Sequence, residues 1–261
     1  MPDIVVHLIA CAAYAGLAWH FWTGRARGWE REAILLPLAL HGWLIYEMLF
    51  AAPELRFGFA QALSVMLWLA VVICWIEGLF VRADLLFAMA LAAAAVCAPL
   101  PAFFPGRVTP DAYSFAFKLH LVVGMLAYSL FVVATLHAVM IASVERRLHS
   151  QPTVVDPSTP PLLTLETLVF RLTAAAFLVL TLTLAVGIAY SESLLGKAMR
   201  FDHKTLFVVL SWLTFAALLA GRWLYGWRGR TALRWTVSGF VMLMLAYPGS
   251  RFVLEVVLQR S

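Results

Sequence analysis

The sequence predicts an all-α fold, a polytopic integral membrane bundle of about eight transmembrane helices built as one transmembrane domain over residues 1–261. Three observations carry this. Hydrophobic residues make up 63% of the chain and charged residues 13%, with a mean hydropathy of +0.89. A water-soluble domain of this length would expose too much apolar side chain to solvent. The apolar residues also fall in continuous runs rather than alternating, which argues against the strands of a membrane barrel. Finally, each run approaches the ~20 residues that a helix needs to cross ~30 Å of hydrocarbon.

In order, the runs lie at about 4–22, 34–51, 61–80, 85–102, 117–143, 163–190, 205–223 and 235–257. The first has the length of a secretory leader, but Asp3 precedes it and basic residues do not, so it reads as a retained helix. The longest connector, about 144–162, carries Gln151-Pro152, Asp156-Pro157 and Pro160-Pro161, which marks a loop rather than a folded unit. Tyr247-Pro248-Gly249 in the last run should kink or interrupt that helix. Residues 1–114 supply four helices and residues 115–261 the other four.

Basic residues assign the sides. Arg25, Arg27, Arg31, Arg82, Arg146, Arg147, Arg222, Arg228, Arg230 and Arg234 fall in alternate connectors, ten against eight on the opposite set. That bias puts loops 23–33, 81–84, 144–162 and 222–234 in the cytoplasm and both termini outside. The net charge of +5 then reflects basic loops beside anionic lipid, not nucleic-acid binding. Cys11, Cys74 and Cys97 stand apart, without zinc or dithiol spacing and without Cys-x-x-Cys-His, so they read as buried, inert thiols. No nucleophile, base and orienting residue come together at recognisable spacing, and the chain does not read as an enzyme.

An ionisable side chain within a membrane span costs a few kcal/mol and usually has a partner or a task (~3 kcal/mol). His120 opens run five at its outer end. Gly124 lies one turn below on the same face, leaving room for a flat ring beside the imidazole, and Phe131 continues that face. A neutral imidazole there is either an axial iron ligand or an interfacial histidine bonded to a loop. Asp202-His203-Lys204 opens run seven at the same outer level. Asp202 suits the N-cap, and His203 is either a second metal-ligating imidazole or part of a solvated first turn. His41, mid-membrane in run two, is either satisfied between helices or a ligand. His137, seventeen residues (~25 Å) below His120, reads as structural. His20 sits between Trp19 and Trp22 at the interface, while His7 and His149 carry little signal. Arg251 can pair with Glu255 one turn on, or hold a carboxylate by its planar fork.

Beyond these residue types, an ordered set of features runs from about 115 to 255. Lys118-Leu119-His120 opens a helix that contains Tyr128-Ser129. A long connector and a further helix follow, then an outer loop ending in Asp202. Lys204-Thr205 leads into Ser211-Trp212, and Trp227-Arg228-Gly229-Arg230 closes the hairpin. In this order the chain resembles the haem-handling cytochrome c assembly family of bacterial and plastid membranes (the CcsA, ResC and CcmC type), and within it the YpjD/HemX-like branch. The resemblance implies a multi-pass protein of the bacterial inner membrane that binds haem b at the outer face and holds or passes it during cytochrome biogenesis. His120 matches the first flanking histidine. Together with His203 it forms the proposed metal pair, and Asp202, Arg251 and His41 complete the cofactor-binding candidates. The implied partners are haem, apocytochrome, other assembly proteins and the bilayer. Two departures stand out: residues 190–201 hold no tryptophan where the family has a tryptophan-rich signature, and no histidine follows His203, which itself stands where the family usually has proline. The rival reading is a haem-free accessory or regulatory subunit of a partner enzyme or transporter. A transporter itself is disfavoured, because no pair of broken helices recurs in corresponding halves.

Overall fold

A computed structural model describes residues 4–24, 28–51, 54–109, 115–150, 161–195 and 203–258. Among them, eight helical spans are long and apolar enough to cross a membrane: Ile4–Trp22, Glu30–Ala51, Phe59–Glu77, Asp84–Phe103, Phe117–Arg146, Leu162–Ala189, His203–Tyr225 and Gly229–Val257. The chain is a polytopic helical membrane protein.

Span one is α1 (Ile4–Trp22). Span two is α2 (Glu30–Ala33) and α3 (Leu35–Tyr46), continued by a wider π-helical turn at Glu47–Ala51. The break between α2 and α3 follows from Pro37, which has no N–H to donate to the carbonyl four residues back. Then come β1 (Arg56–Phe57), α4 (Phe59–Glu77), α5 (Asp84–Cys97), α6 (Leu100–Phe103) and β2 (Arg107–Val108). The long helices α7 (Phe115–Ser150), α8 (Leu162–Leu195) and α9 (His203–Tyr225) follow, then α10 (Gly229–Met244) and α11 (Ser250–Phe252).

Three features differ from what the sequence suggests. Helices α7 and α8 run beyond their apolar windows, α7 through Ser150 into the expected connector; a helix satisfies its own backbone whether or not its side chains are apolar. Pro248 does not break the last span. It widens it into π-helical turns at Leu245–Gly249 and Val253–Val257 on either side of α11, which absorbs the missing N–H. And β1 pairs antiparallel with β2, Arg56 opposite Val108 and Phe57 opposite Arg107. Two residues per strand are too few to leave an alternating pattern. The pairing satisfies two connectors at one end of the bundle, called here the hairpin end.

Small side chains govern the packing of the first half. The buried residues Ala88, Ala90, Ala94, Ala95 and Ala98 let α1 close on α5, as small residues do between membrane helices. In the second half α7, α8, α9 and α10 form a ring in which each packs on its neighbours. Its diagonal members, α7 and α9, meet at Phe131 and Phe215, whose rings stack with centroids 3.9 Å apart. Helix α4 joins the halves by packing along both α5 and α7. Large apolar side chains such as Leu36, Phe80 and Trp223 face outward, where lipid is the solvent.

Candidate cofactor site

His120 lies near the start of α7, half-buried, with α8 against its ring. A Cβ added to Gly187 would stand 3.1 Å from His120 Cε1 and 3.3 Å from Nδ1. Gly124 meets α8 as well: its added Cβ would lie 3.4 Å from Thr183 Cγ2. The space that Gly124 offers is therefore taken by Thr183, not left for a flat ring, and glycine serves close helix approach at both positions. His120 Nδ1 is buried with no hydrogen-bond partner.

The depths of the candidates follow from two tie points. Taking the Phe131–Phe215 stack as origin, His120 lies eleven residues towards the hairpin end on α7 and His203 twelve residues towards it on α9. At 1.5 Å per residue both stand roughly 17 Å above the stack. Tyr128 Oη donates to the carbonyl of Leu243 at 2.9 Å. Eight residues on from each of these, along antiparallel helices, come His120 and Arg251. His120, His203 and Arg251 therefore occupy one end of the four-helix ring at similar depth. The side chain of His203 is exposed, and among the described residues no hydrogen bond or ring contact joins it to His120. Asp202, expected as the N-cap of this helix, lies outside the described residues.

Arg251 and Glu255 do not pair with each other; among the described residues neither enters an ion pair. Glu255 instead turns its carboxylate onto Gly58 at the start of α4, where an added Cβ would lie 2.6 Å from Oε2. Arg251 leans over Tyr247, its Cζ 5.7 Å from the ring centroid.

His41 sits elsewhere, in the first half. It is fully buried, with Nε2 2.8 Å from Ser64 Oγ and its ring edge-on to Tyr14 at 5.7 Å between centroids. Three further histidines, His7, His20 and His137, have partners on other segments. His7 Nδ1 is 2.8 Å from the Ala98 carbonyl oxygen. His20 Nε2 is 2.9 Å from Oε1 of the buried Glu30. His137 Nε2 is 3.0 Å from Glu77 Oε1. The two carboxylates were not apparent as partners, because ten residues separate one pair and sixty the other, beyond any local spacing rule. Gly187 and Thr183 were missed for the same reason.

One haem ligand fits these residues. Haem iron takes a neutral imidazole nitrogen; on His120 that would be Nε2, because Nδ1 is buried against Gly187 of α8. His203, the candidate for a second imidazole, stands on the diagonal helix and is not in contact with His120. Among the described residues no group of three or more His, Cys, Asp or Glu side chains is arranged to hold a metal ion.

Comparison with known proteins agrees with this architecture. Over 139 residues the chain is 31% identical to the inner membrane protein YpjD of Escherichia coli K12, a match covering 53% of this chain and 52% of that one. A 28.8 kDa protein of Azospirillum brasilense is 36% identical over 141 residues, 54% of this chain and 52% of the relative. The cytochrome c biogenesis protein CcsA of Prochlorococcus marinus is 34% identical over 89 residues, 34% of this chain and 28% of that protein. The chain thus spans about half the length of the first two relatives. No solved structure matches. The sequence model described as cytochrome C assembly protein matches residues 29–258, reaching well into the first half of the chain, and the protein belongs to that family.

Proposed function

We propose that the protein works in cytochrome c biogenesis as a multi-pass protein of the bacterial inner membrane, holding or passing haem b at the hairpin end of α7–α10. In this reading His120 and His203, the latter from the diagonal helix, would hold the haem iron through their imidazoles. Asp202, adjacent to His203 in the sequence, is a further cofactor-binding candidate at this mouth. The hairpin end faces the outer compartment, where apocytochrome and other assembly proteins would meet it. The chain binds and hands over a cofactor and makes no bonds of its own. When bound, haem supplies the iron centre; the protein supplies the imidazoles, the apolar walls and the exclusion of water.

The observation that carries the reading is the half-buried imidazole of His120 at the hairpin end of α7, at a depth similar to His203 and Arg251, in a chain of the cytochrome c assembly family. The relatives named YpjD and CcsA support the membrane and the pathway. The test is the absorption spectrum of protein purified in detergent from haem-replete cells. A Soret band is expected in the wild type, lost in His120→Ala and shifted in His203→Ala. Colourless wild-type protein would overturn the reading. A second reading, a haem-free accessory subunit, has one observation in its favour: Gly124 and Gly187 close α8 onto His120 as helix packing alone would require.

A further inference from the structure

We propose that Arg251 is a receptor for an ionised carboxylate, so that the ligand of this end of the bundle is a porphyrin with free propionates. The proposal rests on the haem reading above and adds the group that recognises the ligand's acid.

Arg251 lies within the last membrane span, where a guanidinium without a counter-charge is costly and marks a functional position. The carboxylate placed to neutralise it is Glu255, four residues on. That carboxylate lies against Gly58 and forms no ion pair with Arg251. An added Cβ at Gly58 would lie 2.6 and 2.7 Å from its two oxygens, so Glu255 rests on the backbone where α4 begins, and the positive end of a 19-residue helix favours an anion there. Gly58 permits the approach because it has no side chain. Glu255 thus packs on the start of α4, its Oε1 buried without a hydrogen-bond partner, and Arg251 faces Tyr247, with its own Nε buried and without a hydrogen-bond partner. The Tyr247 hydroxyl is a neutral partner within reach of the guanidinium, and among the described residues no carboxylate forms an ion pair with it.

The position suits the role. Arg251 and His120 are each eight residues beyond the hydrogen-bonded Tyr128–Leu243 level, so the cation stands at the depth of the proposed iron ligand on the neighbouring helix. The wider turns at Leu245–Gly249 and Val253–Val257 bracket it, and such turns often occur at functional sites. A planar guanidinium grips a carboxylate through two parallel N–H donors. A phospholipid headgroup would present a similar anion, and the experiment must separate the two.

Binding of haemin and of its dimethyl ester to full-length protein in detergent, followed by Soret titration, reads the acid directly. Wild type should bind haemin about tenfold or more tighter than the ester. Arg251→Gln should remove that preference while leaving ester affinity unchanged, and Arg251→Lys should retain only part of it. Glu255→Gln should leave the preference intact, which controls for damage to this end of the bundle. His120→Ala should weaken haemin and ester alike, which separates the iron ligand from the acid receptor. Equal binding of haemin and ester by wild type would overturn the proposal while the haem reading stands. Binding of neither would overturn both. If Arg251→Gln instead loses co-purifying phosphatidylglycerol while keeping its preference for haemin, the arginine belongs to lipid and the proposal fails.

Discussion

Glu77 Oε1 stands 3.0 Å from His137 Nε2, joining the end of α4 to the middle of α7 inside the bundle. The other imidazole nitrogen, Nδ1, is 2.9 Å from the Val133 carbonyl oxygen, so it carries the proton it donates there. The approach of Glu77 to Nε2 is close but poorly aligned for a hydrogen bond, and we read it as an electrostatic contact across the seam between the two halves. Removing either partner strands the other: Glu77→Ala or His137→Ala should each cost about 3–5 kcal/mol, seen as a large fall in melting temperature in detergent. Glu77→Gln, which keeps a polar partner, should fall less. Equal melting of all three with wild type would show that the contact carries no stability.

Gly187 should be the sensitive glycine of the candidate site. Its added Cβ would meet the His120 ring at 3.1 Å, so Gly187→Ala must push the imidazole or part α7 from α8. Gly16→Ala, whose added Cβ meets nothing within 4 Å, is the control. Gly187→Ala should shift or weaken the Soret band of haem-loaded protein and lower stability by about 1–3 kcal/mol, whereas Gly16→Ala should change neither. An unchanged spectrum in Gly187→Ala would dissociate this seam from the cofactor.

At the hairpin end, Gly106 has φ of +72°, and an added Cβ would lie 2.7 Å from Gln61 Oε1. Gln61 cannot easily yield, because it is buried and its Nε2 donates to the Phe104 carbonyl at 2.9 Å. Gly106→Ala should therefore cost about 2–3 kcal/mol. Gly226, at φ +67° but in open space, should cost about 1 kcal/mol on the same change. Comparing the two melting temperatures separates steric crowding from backbone strain.

Two buried tyrosines should respond oppositely to loss of the hydroxyl. Tyr128 Oη donates to Leu243 across the α7–α10 seam at 2.9 Å, so Tyr128→Phe should destabilise by about 1 kcal/mol, the scale of such bonds between membrane helices. Tyr14 Oη is fully enclosed with no protein partner, so Tyr14→Phe removes an unpaired polar group and should be neutral or stabilising. A Tyr14→Phe variant that melts well below wild type would mean that the hydroxyl is satisfied by a bound group.

Phe131 and Phe215, stacked at 3.9 Å, are the contact between the diagonal helices. Phe215→Ala should cost about 3–5 kcal/mol. Because it loosens α7 against α9 below His120 and His203, it should also broaden the Soret band of haem-loaded protein. Destabilisation without any spectral change would place the cofactor away from this diagonal.

The sequence alone determined the class of protein and the number of spans. Hydrocarbon of fixed thickness leaves an apolar run no alternative to a helix that satisfies its own backbone, so eight runs became eight spans, and Pro248 announced the irregular turns of the last. The order of polar residues at the mouths of runs five and seven was likewise legible, because each is local in the chain. Only the tertiary structure decided the partners. It set Gly187 and Thr183 against His120, Glu77 against His137, and Glu255 on Gly58 instead of on Arg251. Each of these joins residues on different helices, and helix-to-helix register is set by how small and large side chains interlock across seams. No spacing within one segment encodes that, which is why Arg251 reads from the sequence as half of an ion pair and stands in the fold as a cation without one.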